Sequence, residues 1–153
     1  MSLIRRLLPD VRVLVATFWV GSIWAIAYVA APALFANLDN RMLAGDIAGH
    51  LFRAQALVSL SCGFTLLSLL ISSRDMVATR WRTCMWLVLF MLSCTLIVHF
   101  GLQPMMSAMR EAAGAAGVLA PESRSRFGAL HGVAASVQLL QSVAGIWLVL
   151  RIR

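Results

Sequence analysis

The sequence predicts an all-α membrane protein, a four-transmembrane-helix antiparallel bundle with both termini on the cytoplasmic side. Three observations carry that prediction. The chain of 153 residues is 61% hydrophobic and only 12% charged, whereas a soluble domain carries about a quarter charged residues. Its apolar residues gather in four runs, each near the ~20 residues that a helix needs to cross a ~30 Å hydrocarbon core. The net charge of +7 comes from arginines placed around those runs, as expected of residues that fix orientation in a bilayer.

The whole chain, 1–153, reads as one integral membrane domain with spans at 11–31, 51–72, 83–103 and 128–150. Pro32 and Pro104 are expected to end the first and third spans, because proline lacks the amide hydrogen that a helix uses. Each span must be helical, since backbone groups in lipid have to pair within the segment. The first run is read as a span rather than as a cleaved signal. It is longer than the ~7–15 apolar residues of such a leader, and it carries Trp19, Trp24 and Tyr28.

Arginine placement sets the direction. Arg5, Arg6, Arg12, Arg74, Arg80, Arg82, Arg151 and Arg153 fall on one side, in short segments nearly free of acids. Arg41, Arg53, Arg110, Arg124 and Arg126 fall on the other, together with Asp39, Asp46, Glu111 and Glu122. The acid-poor side is assigned to the cytoplasm. The expected location is therefore a bacterial inner membrane, with two longer loops facing outward. In the first loop Asp39 is expected to cap a short helix, with Leu43, Ile47 and Leu51 forming an amphipathic turn in the interface. The segment after Pro104 is expected to stay helical to about Ala113 and to be broken by Gly114 and Gly117. Pro121 and Glu122 then read as a helix start, so the fourth helix is expected to project beyond the membrane.

Membrane helices pack through small and polar residues, because lipid supplies no hydrophobic drive between them. Inward faces are therefore expected at Thr17, Gly21 and Ala25 in the first span, and at Gln55, Ser59, Cys62 and Gly63 in the second. In the third they fall at Thr95, His99 and Gln103. In the fourth they fall at His131, Ala135, Gln138, Ser142 and Gly145, with a Gly128–Gly132 step and with Val133, Val137, Leu140 and Trp147 turned to lipid. The three histidines of the chain, His50, His99 and His131, all fall near the outer membrane face. Ionisable residues within spans point to function.

These residues define an expected outward-facing pocket. Its floor is Gln138 and Thr95, and its walls are His99, Gln103 and His131. Pro32 and Phe35 shape the first outer loop, and Phe127 the start of the fourth helix. Two chemistries remain open for it. His99 and His131 can simply hydrogen-bond neighbouring helices, or His99, His131, Gln103 and Gln138 can hold a cofactor such as haem b. A metal set of His50, His99 and His131 with Met106 and Met109 suits copper, since thioether and imidazole are Cu(I) donors.

Several classes are disfavoured. The arginines flank apolar runs instead of forming a stripe on a polar domain, so nucleic acid is not an expected partner. Cys62, Cys84 and Cys94 are odd in number and contain no CxxC, which argues against a disulfide framework. There is no phosphate-binding glycine loop, HExxH or nucleophile elbow. No carboxylate lies deep in a span, so a carrier built on buried acids is disfavoured.

Several stretches resemble the transmembrane protein 205-like family. They are Phe18-Trp19-Val20-Gly21-Ser22, Ala31-Pro32-Ala33-Leu34-Phe35 and Ala44-Gly45-Asp46-Ile47-Ala48-Gly49-His50-Leu51-Phe52. Leu102-Gln103-Pro104 and Phe127-Gly128-Ala129-Leu130-His131-Gly132 complete the set. The resemblance spans nearly the whole chain and implies a four-helix membrane domain. Eukaryotic members of that family are associated with resistance to platinum drugs, which implies transport or metal handling without a mechanism. Three functional classes follow. One is a non-enzymatic accessory or binding protein that meets a membrane-protein partner. Another is a metal or haem binder. The last is a small-solute transporter acting as a homo-oligomer.

Overall fold

The computed structural model describes residues 2–73, 76–112 and 121–153, and their side chains except at 2–6 and 121. Among the described residues every regular element is helical. Four helical rods are long and apolar enough to cross a membrane, with mean hydropathies of 1.9, 1.9, 2.1 and 1.8. This is the all-helical, four-span part of the fold class that the sequence predicts.

The first rod joins α1 (Ser2–Trp24) to α2 (Ala31–Asn37) through a π-helical segment, Ala25–Ala30. The second is a single helix, α3 (Arg41–Ile71). The third joins α4 (Ala78–Leu96) to α5 (Gln103–Ala112) through a second π-helical segment, Ile97–Leu102. The fourth is α6 (Pro121–Arg151). α1 packs on α3 and α6, and α4 packs on the same two, so the rods close a ring.

Neither Pro32 nor Pro104 ends its helix. Each sits at the second residue of the α-helix that follows a π segment, a position where the missing amide hydrogen is tolerated. The wide turn before it keeps the rod hydrogen-bonded. Ala31 N–H donates to the Ile26 carbonyl, and Gln103 N–H to the Val98 carbonyl. The expected interfacial turn before the second span is instead the start of α3, which runs unbroken for 31 residues. At 1.5 Å per residue it is about 46 Å long, so it outruns the hydrocarbon core by several turns. Asn40, not Asp39, caps it. The Asn40 side-chain oxygen accepts from the Met42 and Leu43 amides at 3.0 and 3.1 Å. The expected break at Gly114 and Gly117 lies outside the described residues.

Burial is inverted relative to a water-soluble protein. Within the most apolar window of each rod only 22–33% of residues are buried. Leu14, Phe18, Leu57, Phe64, Trp86, Leu139, Leu140 and Leu150 are exposed, while Gln55, Ser59, Thr95, Gln141 and Ser142 are buried. So large an apolar exterior is intolerable in water and is what a lipid-facing surface requires. The chain is a multi-pass membrane protein.

Contacts at the ends fix the arrangement. Arg12, near the start of the first rod, is fully buried and donates to Ser73 Oγ at 2.5 Å, just past the end of α3. Ser73 Oγ donates in turn to the Leu69 carbonyl, and Trp81 Nε1 donates to the Leu70 carbonyl. Two of the last carbonyls of α3 are therefore taken up by Ser73, which Arg12 of the first rod holds in place, and by Trp81 of the third rod. The guanidinium also lies where the helix dipole favours a cation. Arg80 donates to the Arg153 carbonyl at this same end.

The half of the bundle nearest this end is filled by Ala16, Trp19, Ile23, Leu66, Leu70, Val88, Met91, Leu148 and Ile152, none more than 1% exposed. Two glycines let the rods approach. A Cβ on Gly63 would overlap Leu92 Cδ2, and one on Gly145 would stand 2.8 Å from Val20 Cγ2.

Candidate functional site

Apart from Arg12, the buried polar residues of the bundle gather from its middle toward the end away from the chain termini. Midway along, Gln141 Nε2 donates to the Met91 carbonyl at 3.1 Å and to Thr95 Oγ1 at 3.0 Å, tying α6 to α4. Tyr28 OH donates to Ser142 Oγ at 2.9 Å, tying the first π segment to α6. Gln55 Nε2 donates to Ser59 Oγ one turn along α3. Each of the four rods thus contributes to one polar layer.

Beyond that layer the first turns of α3 and the outer part of the third rod part to form a cleft of about 1170 Å³. His50, Gly49 and Arg53 line it from α3, with Asp39 just before that helix. His99, Phe100 and Gln103 line it from the third rod, followed by Ser107, Arg110 and Glu111 of α5. Asp39, Asp46 and Glu111 are half of the acidic residues of the chain, and Arg41, Arg53 and Arg110 stand against them. A strongly basic chain has here a pocket of balanced formal charge. Its depth follows from helix rise. From Arg80 to His99 the third rod climbs about 29 Å at 1.5 Å per residue, close to one hydrocarbon thickness.

Arg110 holds the mouth of the cleft together. Its Nε lies 3.7 Å from Asp46 Oδ1 of α3, and its guanidinium carbon lies 5.9 Å from the ring centre of Phe127 on α6. One of its terminal nitrogens would be 3.3 Å from a Cβ on Gly49. A bare α3 face at Gly45 and Gly49 is what lets an arginine lie flat between three rods. The sequence carries a signal for this, two glycines four apart beside an aspartate, but hydropathy and histidine spacing point elsewhere. Arg53 and Asp46 escape notice as site residues for the same reason.

The expected pocket is assembled only in part. His50, His99 and Gln103 line the cleft together. His131 does not join them: it is exposed on α6 and its ring stacks parallel to Phe127 with centres 6.4 Å apart. Gln138 lies apart from the cleft as well, with its carbonyl accepting from Ser142 Oγ. Thr95 is buried but is engaged by Gln141. Met106 is buried, Met109 is half-buried, and neither lines the cleft. Among the described residues no group of three or more His, Cys, Asp or Glu stands close enough to hold a metal ion. The expected set of three histidines with two methionines is therefore not brought together.

Two inward faces also differ from expectation. Thr17, Gly21 and Ala25 face outward, because Trp19 with Ala16, Val20 and Ile23 fills the first rod's inner side. Ala135 is exposed, and open space surrounds Gly128 and Gly132. Pro32 and Phe35 lie within α2 rather than in a loop, and Phe35 is exposed.

The architecture and the cleft define a class: a multi-pass helical membrane protein with a charged recess at one end of its bundle. The chain belongs to the family described as a domain of unknown function, DUF4149, whose model matches residues 14–115. That stretch holds His50, His99, Gln103, Asp46 and Arg110, and it ends before Phe127 and His131. No curated protein and no solved structure matches the chain.

Proposed function

We propose that the protein is a non-enzymatic binding protein of the bacterial inner membrane. In this reading its rods form an antiparallel bundle with both termini in the cytoplasm, and the charged cleft faces outward to receive a polar ligand or a partner segment. One observation carries it. The half of the bundle near the termini is filled by apolar side chains and closed at its end by the buried Arg12, while the opposite half is polar inside and ends in the cleft. A recess open at one end and sealed at the other suits capture better than conduction, so the single chain is not read as a channel. The stretches around Pro32 and His50, similar to those of the transmembrane protein 205-like proteins, support this reading.

Orientation and access are tested together. Ser107→Cys, at the cleft, is expected to react with a membrane-impermeant maleimide added to spheroplasts, against the background of the three native cysteines, which are buried. Labelling only in inside-out vesicles would overturn the outward reading. The haem and copper alternative rests on His50 and His99 alone, since His131 and the methionines lie elsewhere. A Soret band, or bound copper, that disappears in His99→Ala would revive it.

A further inference from the structure

We propose that the cleft seats a zwitterionic phospholipid headgroup, phosphate and ammonium together, while the acyl chains lie down the outside of the bundle. This rests on the cleft being the binding site. The first support is charge. Arg53, His50 and His99 line the cleft as donors suited to a phosphodiester, and the guanidinium can make a two-pronged contact with it. Asp39 and Glu111 line the same cleft with exposed carboxylates that suit an ammonium group. A free inorganic anion would meet those carboxylates, and a bare cation would meet Arg53. A ligand bearing both signs answers both.

The second support is depth. The cleft opens about one hydrocarbon thickness from the arginines at the other end of the bundle, where headgroups of the facing leaflet lie. The third is the wall below it. Phe100 lines the cleft and is itself 65% exposed. Ile97, nearly one turn deeper, is 56% exposed, and Leu57, one turn deeper than Arg53, is 61% exposed. The polar recess thus passes without a break into a lipid-facing apolar surface on the same two rods. A soluble zwitterion leaves that wall unused, whereas a phospholipid meets both parts.

The full chain in neutral maltoside micelles is titrated with dihexanoyl phosphatidylethanolamine, dihexanoylglycerol and phosphoethanolamine, and affinity is read by calorimetry. The phospholipid is expected to bind at least about tenfold more tightly than either fragment. Arg53→Gln and Glu111→Gln are each expected to weaken it about tenfold, the scale of one charge-assisted hydrogen bond. Both side chains are exposed, so folding should survive. Arg82→Gln, an exposed arginine at the far end, is expected to change nothing. Equal binding of dihexanoylglycerol would mean that the chains alone are recognised. Equal binding of phosphoethanolamine would assign the cleft to a soluble zwitterion. Unchanged affinity in both cleft variants, or an equal loss in Arg82→Gln, would place the lipid elsewhere. Each of these results overturns the proposal and leaves the outward accessibility of the cleft, read by thiol labelling, untouched.

Discussion

Replacing Arg110 by glutamine removes three contacts at once, and the structure ranks them. The Asp46 pair is long, 3.7 Å, and the Asp46 side chain is 57% exposed. Exposed ion pairs of this kind contribute about 0.2–1 kcal/mol. The contact with Phe127 is better shielded, since Phe127 is half-buried where Asp46 is exposed, and a cation over an aromatic ring adds about 0.5–1 kcal/mol. The arginine stem lying on Gly45 and Gly49 adds packing. The expected total is about 1–2 kcal/mol, measurable by steric trapping in neutral bicelles. Double-mutant cycles then separate the parts. Coupling with Phe127→Leu should be about 0.5–1 kcal/mol and should survive ~1 M salt. Coupling with Asp46→Asn should be under ~1 kcal/mol and should nearly vanish there, where the screening length falls to about 3 Å. A coupling to Asp46 that is the larger of the two and insensitive to salt would refute this ranking. An Arg110→Gln variant as stable as the parent would refute the clasp itself.

Other outcomes follow from the interior. Gly63→Ala should cost about 1–3 kcal/mol through overpacking against Leu92, and adding Leu92→Ala should recover part of that loss in the same trapping assay. Arg12→Met should cost about 2–3 kcal/mol, because it removes a charged donor from the buried end of α3, and should raise hydrogen exchange in residues 69–73. Gln141→Leu should cost about 0.6–1.7 kcal/mol, the range for hydrogen bonds between membrane helices, and Tyr28→Phe should fall at the lower end of it. Neither of those two changes should alter thiol labelling at position 107.

The four rods were legible because an apolar run of about 20 residues fits a bilayer crossing and little else, and neither tertiary contact nor ligand is needed to read it. Their ends were less so. Pro32 and Pro104 look like stops when only the missing amide hydrogen is considered, yet a π segment ahead of each absorbs that loss. The inward side of α3 at Gln55, Ser59, Cys62 and Gly63 is legible in the sequence, as is the burial of Thr95, because polar residues in a span have little reason to face lipid. The small residues of the first rod misled, since smallness suits lipid and neighbouring helices equally, and Trp19 took the inner side instead. His131 shows the limit of reasoning by depth. Its level along the rod could be counted from the sequence, but its direction around α6 depends on where Phe127 and Arg110 meet, a contact between residues 17 positions apart that no periodicity reports.

The π segment at Ile97–Leu102 has a consequence for how the chain tolerates changes in length. A wide turn of this kind is in effect one residue inserted into an α-helix, and one residue is worth roughly 100° of rotation about the axis. Deleting a single residue there should let the third rod revert to a plain α-helix that still crosses the membrane, at nearly unchanged length. Everything beyond the deletion would then keep its facing, with Gln103, Ser107 and Arg110 still turned toward α3, because the rotation lost with the residue is what the wide turn had already given up by under-twisting. A frame-preserving loss of one residue at that place should therefore be silent for insertion into the bilayer and for the recess, whereas the same loss between Gln55 and Ser59 of α3, a helix with no wide turn to give up, should swing His50 and Arg53 about 100° away from the third rod.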